Sequence, residues 1–220
     1  MGLGAKLVRV IESRRESKLK QRSDSVGAFY RAGGKDLLYD LPVSTGDRVI
    51  DAGGYEGEWS AKMLARYGCE IDIFEPIPKF SSVCKQLFRN NNLVHLHKAA
   101  IGGADRIAQF RLHDNGTSEF LSSDYERSID CKVVDVVEFI SNLGNANFAC
   151  VKLNIEGGEY EVLERIIDMH QTYRFKSFLI QFHKQPEGWE TRRISIVERL
   201  HETHKLEWCY PMVWEMWVKK

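Results

Sequence analysis

Asp51, Gly53, Gly54, Gly57 and Glu75 are the residues whose types and spacing point most directly to chemistry. Asp51 ends the apolar run Arg48-Val49-Ile50, the glycines follow within Gly53-Gly54-Tyr55-Glu56-Gly57, and Glu75 ends the next apolar run. A strand ending in an acid, a glycine turn, a helix and a second strand ending in an acid describe a nucleoside-cofactor site. The second acid suits the two ribose hydroxyls. The first decides which nucleoside is expected. A pyrophosphate needs backbone N–H groups at a helix N-terminus, and a carboxylate beside it would repel it. Asp51 suits instead the ammonium or sulfonium of S-adenosylmethionine (SAM), either facing that cationic end or fixing the amides of the turn. The turn also reads Gly-x-x-x-Gly rather than Gly-x-Gly-x-x-Gly.

Further candidates follow later strands. Ala100 and Ile101 come after the third strand, where backbone and small side chains can meet an adenine edge. Glu156 follows the fourth, at the carboxyl edge where open α/β sheets bind ligands. It suits an acceptor hydroxyl, a catalytic base or a cation, or else caps the next helix. Glu159 falls in that helix's first turn and reads as a dipole partner. His183 closes the fifth strand and has the ordinary range of a general base. Lys152 either pairs with Glu156 or is buried against another partner. His201 and His204 read as a solvated helix face, since no cysteine or acid cluster beside them completes a metal site. Thr117, Ser118, Ser122 and Ser123 form a polar loop open to an acceptor or to solvent. Trp208, Trp214 and Trp217 read as core and subunit contact, which leaves a homo-oligomer open.

These residues need elements to hold them. Strands are expected at Arg48–Asp51, Ile71–Glu75, Val94–His97, Phe148–Asn154 and Ser177–Gln181. Helices are expected at Gly57–Tyr67, Pro78–Asn90, Val134–Leu143, Gly158–Asp168 and Glu190–His204. In the second helix Phe80, Val83, Leu87 and Phe88 mark the apolar face. Ile107–Leu112 and Ser128–Val134 read as an antiparallel insertion, and Leu206–Val218 as a closing hairpin. The alternation predicts a mostly parallel sheet with right-handed crossovers. The domain is drawn at 35–220, after a basic helical segment at 1–34. Residues 1–25 hold seven Lys/Arg against three Asp/Glu, with Leu3, Leu7, Val10 and Ile11 at helical spacing. That segment is read as packed on the domain or a second subunit, with peripheral membrane or acceptor contact as the alternative.

Composition narrows the classes. With 31 basic and 31 acidic residues in 220, no global field recruits nucleic acid or an anionic surface. The five cysteines are odd in number, lack a Cys-x-x-Cys pair and read as reduced core thiols. No apolar run reaches the roughly 18 residues of a membrane span, and the N-terminus lacks a signal-peptide core, so a cytoplasmic protein is expected.

Three segments together resemble the FkbM family of SAM-dependent O-methyltransferases: Val49–Trp59, Ile73-Phe74-Glu75-Pro76-Ile77-Pro78 and Val151–Leu163. Ile180-Gln181-Phe182-His183 is similar to a later strand end of that family. The resemblance spans roughly residues 45–185. It implies the class I methyltransferase fold, a Rossmann-like seven-stranded mostly parallel sheet with a C-terminal antiparallel hairpin. It also implies SAM as cofactor and, as acceptor, a hydroxyl of a sugar, glycan or polyketide-like small molecule. Glu156 and His183 are then the catalytic candidates, and Asn154 joins the cofactor-binding set. One departure stands out. Asn154 occupies the place of the family's usual Asp, and an amide is a poor base and a weak metal ligand, so no metal is expected. Two rivals remain: a non-catalytic SAM-fold binding or scaffold protein, and a nicotinamide oxidoreductase that Asp51 and the glycine spacing disfavour.

Overall fold

The computed structural model describes residues 24–112, 117–118 and 128–220. The expected Leu3–Ile11 helix and the loop serines Ser122 and Ser123 lie outside the described residues. A helix over residues 24–31 (α1) and a short α2 (Gly34–Leu37) lead into the alternating part of the chain. There follow β1 (Arg48–Ala52), α3 (Glu58–Tyr67), β2 (Glu70–Phe74), α4 (Pro78–Leu87) and β3 (Val94–His97). After an excursion come α5 (Val136–Asn142), β8 (Cys150–Leu153), α6 (Glu159–Asp168), β9 (Ser177–Ile180) and α7 (Trp189–Thr203). The hairpin β10 (His204–Tyr210) and β11 (Trp214–Lys219) closes the chain. The seven strands are ordered β10-β11-β9-β8-β1-β2-β3. Pairing is parallel from β9 through β3, while β11 runs antiparallel to β9 and to β10. This is the class I methyltransferase sheet that the sequence leads one to expect.

Strand alternation divides the core in two. Ile50, Ala52, Val151, Leu153, Phe178 and Ile180 point to α5, α6 and α7. Val49, Ile71, Ile73, Cys150, Leu179 and Met216 point to α1, α3 and α4. Asp51 and Lys152 share the second face, which is why Asp51 meets Ser60 of α3 rather than α6. Trp217 is fully buried in the first core, and Trp214 packs in the second.

The excursion is a second sheet. β4 (Ala100–Gly102), β5 (Arg106–Leu112), β6 (Thr117–Ser118) and β7 (Ser128–Asp135) order as β4-β7-β5-β6, with β5 and β7 antiparallel as anticipated. Its apolar face, Ala108, Phe110, Cys131 and Val133, packs on Ile77 and Phe80 at the start of α4.

Three local expectations need correction. The helix expected from Val134 starts at Val136, because Val134 pairs with Ile101 and Asp135 caps the helix, accepting from Val137 and Glu138 N–H. In α4 the buried side chains are Phe80, Ser81 and Cys84, whereas Val83 and Leu87 are exposed. The second sheet covers the first turn of α4 and sets which face turns inward. His204 is fully buried rather than solvated. It begins β10, packs edge-on against Phe178 and contacts the Phe175 carbonyl at 3.1 Å.

Candidate active site

The glycine turn is welded to the neighbouring strand end. Gly53 and Gly54 N–H both donate to the Phe74 carbonyl, at 3.0 and 3.1 Å. Gly53 has φ 81°, and a Cβ on it would stand 2.2 Å from the Asn154 carbonyl oxygen. A Cβ on Gly54 would stand 2.3 Å from Ile73 Cγ2. No side chain fits at either position, so the strand ends close up and leave bare backbone at the rim. Gly57, at φ 83°, precedes α3, and a Cβ on it would meet Phe88 and Leu87 at the end of α4.

Glu75 sits one residue beyond β2 and is 5% exposed. Its Oε2 accepts Tyr55 N–H at 2.8 Å and its Oε1 accepts Ile77 N–H at 2.9 Å. Burial pushes its carboxyl up to about 7, against the pull of those two N–H donors. Each oxygen keeps a second lone pair for a ligand hydroxyl.

Asp51 is fully buried beneath the turn. Parallel register sets it beside Lys152, whose Nζ lies 2.7 Å from Asp51 Oδ1 and 2.7 Å from the Gly53 carbonyl. Ser60 of α3 donates to the other Asp51 oxygen at 2.6 Å. Asp51 is fully buried and Lys152 nearly so, and the two neutralise one another. Of the two readings of Asp51, holding the glycine turn or facing a cationic ligand, the buried ion pair fits the first, since Lys152 bridges Asp51 to the Gly53 carbonyl. Lys152 pairs with Asp51 rather than Glu156.

Above these residues opens a cavity of about 440 Å³, within the range of small-molecule sites. One wall is apolar, with Phe74, Ile77, Phe80, Ala100, Ile101 and Phe110. The other carries Glu75, Lys152, Asn154 and Glu156, and Tyr39, Trp59 and Trp214 line it as well. The arrangement fits a nucleoside cofactor: apolar lining, a carboxylate held by backbone N–H groups and a backbone cradle that admits no Cβ. Phe80 and Phe110 were not singled out as cavity residues from sequence. The alternation of Ala108, Phe110 and Cys131, Val133 in the insertion was the signal available for the second sheet.

Glu156 and His183 meet beside this cavity. Glu156 lines it and has φ 51°, followed by Gly157 at φ 107°. His183 Nε2 lies 3.4 Å from Glu156 Oε1, and Nδ1 lies 3.1 Å from Glu159 Oε1. Burial alone would lower the imidazole, but the two carboxylates outweigh it and raise His183 to about 9. A carboxylate at each ring nitrogen favours the imidazolium, whereas a general base needs the neutral ring. Burial also pushes the thiols of Cys69 and Cys131 up to about 11 and those of Cys84, Cys150 and Cys209 up to about 12. All five cysteines are free thiols, and none is a ready nucleophile. No helix among the described residues is long and apolar enough to cross a membrane.

The fold is similar to that of a presumed rRNA methylase from Clostridium thermocellum, at 12% identity over 86% of this chain and 96% of that one, TM-score 0.49. It is also similar to a precorrin-6y C5,15-methyltransferase from Geobacter metallireducens, at 12% identity, 82% and 83% coverage and TM-score 0.46. A fibrillarin from Aeropyrum pernix with natively bound S-adenosyl-L-methionine matches at 9% identity, 82% and 69% coverage and TM-score 0.45. These likenesses are distant, and the fold stands on the strand order above. No curated protein matches the chain. The model of the methyltransferase FkbM domain matches residues 51–206, from the acid ahead of the glycine turn into the closing hairpin. The chain belongs to the FkbM methyltransferase family.

Proposed function

We propose that this protein is a SAM-dependent O-methyltransferase acting on a hydroxyl of a sugar, glycan or polyketide-like small molecule. The observation that supports it most is Glu75: a buried carboxylate held by two backbone N–H groups, beside a cradle where no Cβ fits. Glu75 would take the ribose hydroxyls, Ala100, Ile101, Phe80 and Phe110 the base, and Gly53, Gly54 and Asn154 the methionyl side. Bound SAM supplies a methyl group on a good leaving group. The chain's work is then to place the acceptor oxygen in line and exclude water. Glu156 is one of the carboxylates that line the cavity, and it takes the hydroxyl proton as the new bond forms. His183 holds Glu156 as its counter-ion.

Labelled SAM offered to a panel of methyl glycosides and phenolic polyols, with amines and thiols as controls, tests the reaction class. Transfer to hydroxyls supports the reading, and transfer confined to amines or thiols defeats it. Turnover is expected to withstand EDTA, because an amide at Asn154 is a weaker cation ligand than a carboxylate and Glu156 is engaged by His183. Loss of turnover on chelation, restored by magnesium or manganese, would contradict that.

A further inference from the structure

Glu159 stands in the first turn of α6, where an acid commonly complements the helix dipole. Its surroundings ask more of it. It is fully buried, and a buried carboxylate is costly unless it is paired and hydrogen-bonded. Its Oε1 accepts the His183 backbone N–H at 2.6 Å and faces His183 Nδ1 at 3.1 Å. Its Oε2 accepts Gly157 N–H at 2.9 Å. One side chain thus ties the end of β9 to the loop after β8. Other bonds converge on the same two residues. Tyr160 donates its hydroxyl to the His183 carbonyl at 2.6 Å, and Gln185 Nε2 donates to the Glu156 carbonyl at 2.9 Å. Glu156 keeps its left-handed φ of 51° inside this frame, and strained backbone persists only where its surroundings over-determine it.

We propose that Glu159 is a positioning residue for methyl transfer. By gripping His183 at its backbone N–H and at Nδ1, it holds Nε2 against Glu156 and fixes where that carboxylate meets the acceptor hydroxyl. The inference rests on the reading of Glu156 as the acceptor-side base. Both imidazole nitrogens face carboxyl oxygens, which only accept when ionised, so the geometry favours a ring with two protons. The rise of His183 to about 9 agrees with this geometry. A helix-dipole role would need none of these contacts.

Two readouts test it, one independent of activity. In ¹⁵N-histidine spectra of the parent, with His183 assigned by its loss in His183→Gln, both ring nitrogens should stay protonated through pH 8. A neutral His183 at pH 7.5 overturns the proposal outright. In Glu159→Gln the His183 titration should move down by about a pH unit, because one of its two anionic partners is gone. Calorimetry should find SAM bound as in the parent. Single-turnover transfer from labelled SAM to the best methyl glycoside should fall on the order of 10- to 100-fold, the scale of a misplaced reacting group. An unchanged His183 titration in Glu159→Gln, or an unchanged rate, overturns it. Should Glu159→Gln not fold, His183→Gln takes its place, with the same loss of rate at unchanged SAM affinity expected and an unchanged rate decisive against. A parent that transfers methyl to no hydroxyl counts against the proposed reaction, while the parent's His183 spectrum still decides the grip.

Discussion

Asp51 and Glu75 each end a strand beside the same glycine turn, yet the protein treats the two carboxylates differently. Asp51 receives a cation and a hydroxyl, whereas Glu75 receives two backbone N–H groups and an open cavity. Removing one partner of a buried pair leaves the other charge uncompensated, at about 3–5 kcal/mol. Asp51→Asn should therefore cost stability on that scale, read as a lower denaturant midpoint, and an unchanged midpoint would show that Lys152 does not need it. The sequence offered both acids as ligand contacts. It could not show that Lys152 lies beside Asp51, because that pairing comes from the β1–β8 register across a long stretch of chain. His183 carries a pH signature. Its pKa in the fold, about 9, stands above its ordinary value of 6.5. The stability it contributes is thus fully present below pH 6.5 and is lost as pH rises through 9. Thermal unfolding from pH 6 to 9.5 should show that loss, and His183→Gln should flatten that part of the profile.

Among the elements, the glycine turn is the most exacting. Gly53→Ala combines a positive φ with a Cβ 2.2 Å from a backbone carbonyl that cannot swing aside. It should cost about 1–3 kcal/mol and remove the thermal shift that SAM gives the parent. A variant that folds and binds like the parent would mean that the turn tolerates a side chain. Elements with a clean period were legible in the sequence: β3 at Val94–His97 and α3 to Tyr67 match their patterns. Where a second layer intervenes, the pattern misleads. The period in α4 offered Val83 and Leu87 as its inner face, but the second sheet covers Ile77 and Phe80 and leaves those two outside. His204 looked like the last helical residue on a polar face, yet it begins a strand and turns into the core. Helical spacing carries no mark of where a chain leaves the helix for a sheet.

Taken whole, the molecule builds its cavity where the carboxyl ends of β1, β2 and β8 meet a roof made by a separate sheet. The parallel sheet, its order and its closing hairpin were legible because alternating strands and helices admit few arrangements. The roof was legible only as an antiparallel pair, since nothing local in β5 or β7 names the surface they cover. The same architecture would serve a nicotinamide cofactor if the turn gave its N–H groups to a pyrophosphate. Here both Gly53 and Gly54 N–H groups are spent on the Phe74 carbonyl. Calorimetric titration of the parent and of Glu75→Ala, with SAM and with NAD, tests this account most directly. The account predicts that the parent binds SAM and not NAD. It also predicts that Glu75→Ala loses about 2–4 kcal/mol, roughly 30- to 1000-fold, with the two ribose hydrogen bonds. Binding of NAD by the parent, or SAM binding unchanged in Glu75→Ala, would contradict it.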